Sequence, residues 1–126
     1  MLNGYMERYM KKFKYILINY QVVPIPPEMS LMDWYMWRSD PGNILVSKTF
    51  FLGGTIEVST VFLPDSAWGH FETYIFGDTI DFDRRYDTYY EAWVGHLIAA
   101  VIVDCSIPKL GHKKTVSLSN TVLGDK

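Results

Sequence analysis

The strongest constraint in this chain is a pair of alternating segments cut apart by a proline. Ile56, Val58, Thr60 and Phe62 alternate with Glu57, Ser59, Val61 and Leu63; β-branched and aromatic residues repeating with a period of two suit a pleated surface. Pro64 has no N–H to give a ladder, so the first strand stops there. After the polar turn Asp65–Ser66 the alternation resumes, with Phe71, Thr73 and Ile75 set against Glu72, Tyr74 and Phe76, until Gly77 and Asp78 break it. Strands this close in sequence are expected to pair antiparallel.

A helix should follow and cover them. Thr88 stands three residues before Glu91, the spacing at which a hydroxyl and a carboxylate satisfy free backbone donors at a helix start. From there Tyr90, Trp93, Val94, Leu97, Ile98 and Val101 recur at threes and fours, an apolar stripe wide enough to cover one face of a small sheet. Ala92, Ala99 and Ala100 favour the helix and permit close packing. The helix Thr88–Val103 is expected to end near Asp104, with Pro108 blocking its continuation.

Upstream, Lys14 to Val23 reads as one strand ended by Pro24, Pro26 and Pro27, a stiff connector. Ser30 and Asp33 cap a short helix holding Leu31, Trp34, Tyr35 and Arg38, which Asp40–Pro41–Gly42 ends. Asn43 to Leu52 is a further strand, joined to Ile56 through a Gly53–Gly54 turn. Residues 1–13 are either a short amphipathic helix or an extension, and the polar tail from Leu110 either adds an edge strand through Thr115–Leu118 or frays. The expected fold is therefore α+β: one domain with a mainly antiparallel sheet of about four strands, one long C-terminal helix across a face and a short N-terminal helix. Residues 14–104 form its core, 1–13 its extension and 105–126 its tail or edge strand.

Charge and composition narrow the function. A formal charge of −2 without a basic cluster argues against nucleic acid as a partner. A single cysteine, Cys105, has no internal disulfide partner and reads as a small packing residue in a reducing, cytoplasmic setting. No run reaches the length of a membrane span, and the N-terminus lacks the order of a signal peptide. Aromatics make up 16% of the chain; some rings should stay partly exposed, where a binding surface would use them, but the plainer reading, a small domain filling its core with rings, carries the greater weight.

Candidate ligand- or partner-binding residues follow from type and position. Trp34, Trp37 and Trp68 stand beside turns or polar residues, where they either line a pocket or oligomer contact or anchor loops to the core. Arg84 and Arg85 lie in a charged connection with Asp78, Asp81, Asp83 and Asp87, read as a solvated loop; their guanidinium forks suit phosphates or carboxylates. His70, Glu72 and Tyr74 share one strand region; if the helix crosses the meander, His96 and Glu72 would meet as a hydrogen-bonded pair or, with Asp65, as an acid–base group, while a satisfied structural histidine is the reading of greater weight. No metal-ligand spacing joins His70, His96 and His112, no loop matches a calcium motif, and no nucleophile accompanies His96. No catalytic residue, metal or cofactor is assigned.

VSTVFL at 58–63, FETYIFG at 71–77 and RYDTYYEAWVGH at 85–96 together resemble a family of small proteins of bacteriophages and prophages with no settled activity. Its members carry VSTVFLGLDH-like and FETMVFGG-like strands followed by an RYxTxxEAxxGH-like helix. Trp34-Tyr35-Met36-Trp37 and the opening Lys14–Leu17 are also similar to that pattern, so the likeness runs from Lys14 to Val103. This chain has PDSAWG where the family has its glycine-rich loop, so no role of that loop's histidine is carried over to this chain. The resemblance implies a cytoplasmic protein of an infected bacterium. The leading expectation is a non-enzymatic accessory protein that binds a host protein as a counter-defence inhibitor. The alternatives are a sequestering protein for a nucleotide-like small molecule and, third, a small hydrolase using His96 and Glu72; a homo-oligomer fits the short edge strands.

Overall fold

A computed structural model of the chain describes residues 4–77, 80–110 and 122–123. Its centre is the meander expected from the alternation: β3 (Leu45–Phe51), β4 (Ile56–Phe62) and β5 (Phe71–Phe76) pair antiparallel in sequence order. Positive φ at Leu52, Gly53 and Gly54 closes the β3–β4 turn, a conformation that glycine enters without steric cost. The described part of the charged connection is not a loop throughout. Asp83–Tyr86 forms β6, antiparallel to β5, and gives the sheet the order β6-β5-β4-β3. Its charges are tolerated because an edge strand meets water on its outer side. A two-residue strand, β7 (Val122–Leu123), pairs with β3 at the other edge. The predicted tail strand Thr115–Leu118 lies outside the described residues.

Lys14 to Val23 is two strands rather than one. β1 (Tyr15–Ile18) and β2 (Gln21–Pro24) form a hairpin in which Ile18 pairs with Gln21 across Asn19 and Tyr20, both at positive φ. Two consecutive residues in the left-handed region give the turn whose twist suits a two-residue hairpin. Before it, α1 (Gly4–Met10) fulfils the short helix, and Lys11 just beyond it donates to the Pro27 carbonyl at 3.3 Å. After it, α2 (Leu31–Ser39) is capped by Ser30, whose hydroxyl accepts from the Asp33 N–H at 3.0 Å. One further helical turn, α3 (Pro41–Ile44), takes in Asn43 and Ile44, the residues expected to begin the next strand. Asp40 caps it, and Pro41 stands at its start, where a missing N–H costs nothing.

α4 (Tyr89–Ser106) runs across one face of the sheet. It is capped by Thr88, whose hydroxyl accepts the Glu91 N–H and donates to the Glu91 carboxylate. It passes the expected stop at Asp104 and continues into a 3-10 turn, Ile107–Leu110. Cys105 on its last turn is exposed, not packed. Beneath the helix lie two clusters. Phe51, Ile56 and Val58 meet Ala99, Ala100, Val103 and Ile107, while Val46, Phe62 and Phe71 meet Ala92. A third cluster, Ile16, Ile25 and Trp34, holds the hairpin to α2.

The face that α4 buries is the reverse of the expected one. Ala92, Gly95, His96, Ala99, Ala100 and Val103 point at the sheet, whereas Tyr90, Trp93, Leu97, Ile98 and Val101 are exposed. The cause is volume. The inner sheet face already carries Phe51, Phe62, Phe71 and Ile56, and interiors fill to a fixed density, so the helix supplies small residues and approaches closely. At Gly95 a Cβ would stand 2.2 Å from the Tyr86 ring, so the contact leaves room for hydrogen alone.

Candidate functional site

The sheet separates the expected site residues. Alternation along β5 turns Phe71 and Thr73 toward α4 and Glu72 and Tyr74 away from it. His96, 1% exposed, is hydrogen-bonded through Nε2 to Thr49 (2.9 Å) and through Nδ1 to Thr60 (2.8 Å), and Thr60 is bonded in turn to Thr73 at 2.5 Å. A neutral imidazole has one donor and one acceptor, so its ring is fully used by the two hydroxyls. Burial pushes the His96 pKa down to about 4. His96 and Glu72 thus lie on opposite faces of the sheet, and the pairing considered for a hydrolase does not form. Asp65 instead pairs with Arg38 at 3.5 Å.

On the open face, Glu72 is 4% exposed and accepts from Arg85 Nε at 3.2 Å. The guanidinium of Arg85 also lies 5.1 Å from the Trp68 ring centroid. Gly69, at φ 59°, lets the β4–β5 loop settle on this side chain, since a Cβ there would stand 2.9 Å from Arg85 Cβ. The Tyr74 hydroxyl has its pKa raised, first by its hydrogen bond to Glu72 and then by burial. Arg84 points elsewhere, over the Phe82 ring at 5.5 Å. Trp34 is a core residue, its Nε1 donating to the Tyr15 carbonyl at 2.9 Å, and Trp37 packs edge-on against Phe62. These two tryptophans anchor the hairpin and α2, the core alternative weighed for them.

Trp68 and His70 do line a cavity. A cleft of about 640 Å³ opens between the β1–β2 hairpin, the β4–β5 loop and the start of α4, walled by the rings of Tyr15, Tyr20, Trp68, His70, Tyr89 and Tyr90. Its polar lining includes Gln21, Asp87 and Thr88. Tyr20 and Tyr89 meet as tilted rings at 4.7 Å, Tyr15 meets His70 edge-on at 4.6 Å, and His70 Nδ1 is buried without a hydrogen-bond partner. Burial, then the neighbouring Tyr20, raises the Tyr89 pKa. A shallower hollow formed by Tyr20, Gln21, Tyr89, Tyr90 and Trp93 carries this aromatic surface onto the outer face of α4.

That outer face is the second candidate surface. Tyr90 (74% exposed), Trp93, Leu97, Ile98, Val101 (58% exposed) and Ile102 form a continuous apolar band, while the carboxylates of the helix are Glu91 and Asp104 and it carries no Lys or Arg. Its spacing was legible in the sequence, but its direction was not. Tyr20 and Tyr89 escaped notice, and the sequence presents Asp87 only as part of a solvated loop, because the hairpin turn and the end of β6 set their positions.

Among the described residues, no three His, Cys, Asp or Glu side chains gather to hold a metal ion, and no helix is long and apolar enough to cross a membrane. Comparison with known protein families, with curated proteins and with solved structures found no match.

Proposed function

We propose that this chain is a non-enzymatic binding protein whose outer α4 face docks a protein of a bacterial host, as a cytoplasmic, phage-encoded counter-defence inhibitor. One observation carries the binding: α4 holds the fold with its small side chains and leaves its large apolar ones in water. A contiguous apolar band of this kind is what protein interfaces desolvate, with aromatic anchors such as Trp93 supplying the strongest contacts. The non-enzymatic part rests on His96, whose ring is engaged by two threonines, is 1% exposed and does not line the cleft described above. The bacterial host and the phage origin rest on the three motifs at 58–63, 71–77 and 85–96.

Charge favours a foreign partner over a second copy of the chain. Because α4 carries Glu91 and Asp104 and no Lys or Arg of its own, self-docking through α4 brings no countercharge from the facing helix. A partner with a basic rim around an apolar groove supplies it. The test is capture from bacterial lysate with the wild type and with Leu97→Ser/Val101→Ser, both residues being exposed. The wild type should retain a host protein that the variant loses at an unchanged melting temperature. Equal retention by both would move the interface elsewhere.

A further inference from the structure

We infer that the cleft between the β1–β2 hairpin and the start of α4 is a binding site for an organic cation, with an alkylated ammonium or guanidinium head. The inference stands apart from the docking role of the outer α4 face. Tyr20, Trp68, His70, Tyr89 and Tyr90 bring aromatic surface to the cleft from three separate segments, and Tyr20 and Trp68 remain exposed. The acidic side chain in the lining is Asp87, and no described Lys or Arg lines it. One Asp87 oxygen accepts the Gly69 N–H at 3.1 Å, which fixes the carboxylate at the cleft wall with acceptor capacity left over.

Several ring faces with a carboxylate beside them attract a cation twice, through the negative faces of the rings and through the charge. The molecule already shows this preference at one wall. Arg85 lies over Trp68 while Glu72 matches its charge, so the ring holds a cation in place without Arg85 entering the cleft. The same lining sets Asp87 against a phosphate and offers it no described Lys or Arg, only the partial charge of the α4 start. This separates the cleft from the nucleotide site expected of Arg84 and Arg85, neither of which lines it.

The cation has two sources, a free small molecule or a basic side chain of a bound protein, and an NMR titration of the full chain distinguishes them. The probes are choline, its uncharged carbon isostere 3,3-dimethylbutan-1-ol, Nα-acetyl-arginine amide and adenosine monophosphate, read on the Trp68 indole and the Tyr89–Tyr90 amides. Choline should shift these resonances saturably and its isostere should not. Saturation by choline alone identifies a free cation; saturation by the arginine amide identifies a side-chain pocket. Asp87→Asn, which keeps an acceptor for Gly69, should weaken binding roughly threefold to tenfold, as should Trp68→Ala. Should either variant misfold, Tyr90→Ala, at a residue 74% exposed, provides the same readout. Equal binding of the isostere, tighter binding of adenosine monophosphate, or no response to either cation overturns the inference.

Discussion

The two faces of α4 are made of different materials. The inner face is alanine, glycine, valine and one histidine; the outer face is tyrosine, tryptophan, leucine, isoleucine and valine. Hydrophobicity alone would have turned the helix over. What decides is the space left by the sheet, where Phe51, Phe62 and Phe71 occupy the volume that a bulky helix face would need. The larger apolar side chains are thereby left for something outside the fold.

The largest expected effect is on the inner face and depends on pH. An unfolded histidine titrates near 6.5, while His96 in the fold titrates at about 4, so between these values the unfolded chain binds more protons. The His96 contribution to stability is therefore complete above pH 6.5 and is lost as pH falls toward 4, by about 3 kcal/mol in all. Urea unfolding at neutral pH and near pH 4.5 measures it. His96→Gln, which keeps hydrogen-bonding capacity but cannot titrate, should flatten that step; an unchanged step would show that it belongs to other groups.

Next in size is an exchange of volume between the faces. Ala99→Leu adds apolar volume at a fully buried position and should destabilise the chain by about 1–3 kcal/mol, whereas Leu97→Ala should stay within about 0.5 kcal/mol. Thermal melts of the pair read the asymmetry directly, and the opposite ranking would mean the helix is rotated. Gly95→Ala sharpens the contrast. Its cost of about 1–2 kcal/mol should shrink in a Tyr86→Val background, because the strain lies between these two side chains.

The smallest effect belongs to the open face of the sheet. Lys48→Gln removes a pair with Glu57 whose side chains are 36% and 26% exposed and should cost about 1 kcal/mol or less, as denaturant midpoints would show. A loss of several kcal/mol there would mean that the open face is more deeply committed to the fold than α4 itself.

What was legible in the sequence was local. The alternation of β4 and β5, the Thr88–Glu91 cap, the Ser30 cap and the Gly53–Gly54 turn each depend on neighbours within a few residues, and each is present. The hairpin within 15–24 was hidden because its turn places Tyr20, a residue that seldom signals a reversal, at positive φ. β6 was hidden by its charges, which only an edge position accommodates. The orientation of α4 could not be read from its own periodicity, since a stripe of large apolar residues marks a face without saying what covers it. The cleft was half legible. Trp68 and His70 stood out by type, but Tyr20, Asp87 and Tyr89 join them only through pairing across the sheet and the hairpin.

The most direct test of the account places a photo-crosslinking amino acid at Ile98, on the outer α4 face, or at Phe50, on the open sheet face, and irradiates bacterial cells that express each form. The account predicts a discrete adduct with a host protein from position 98 and none from position 50. A covalent pair of two copies of this chain from position 98, or a host adduct from position 50 alone, would contradict it.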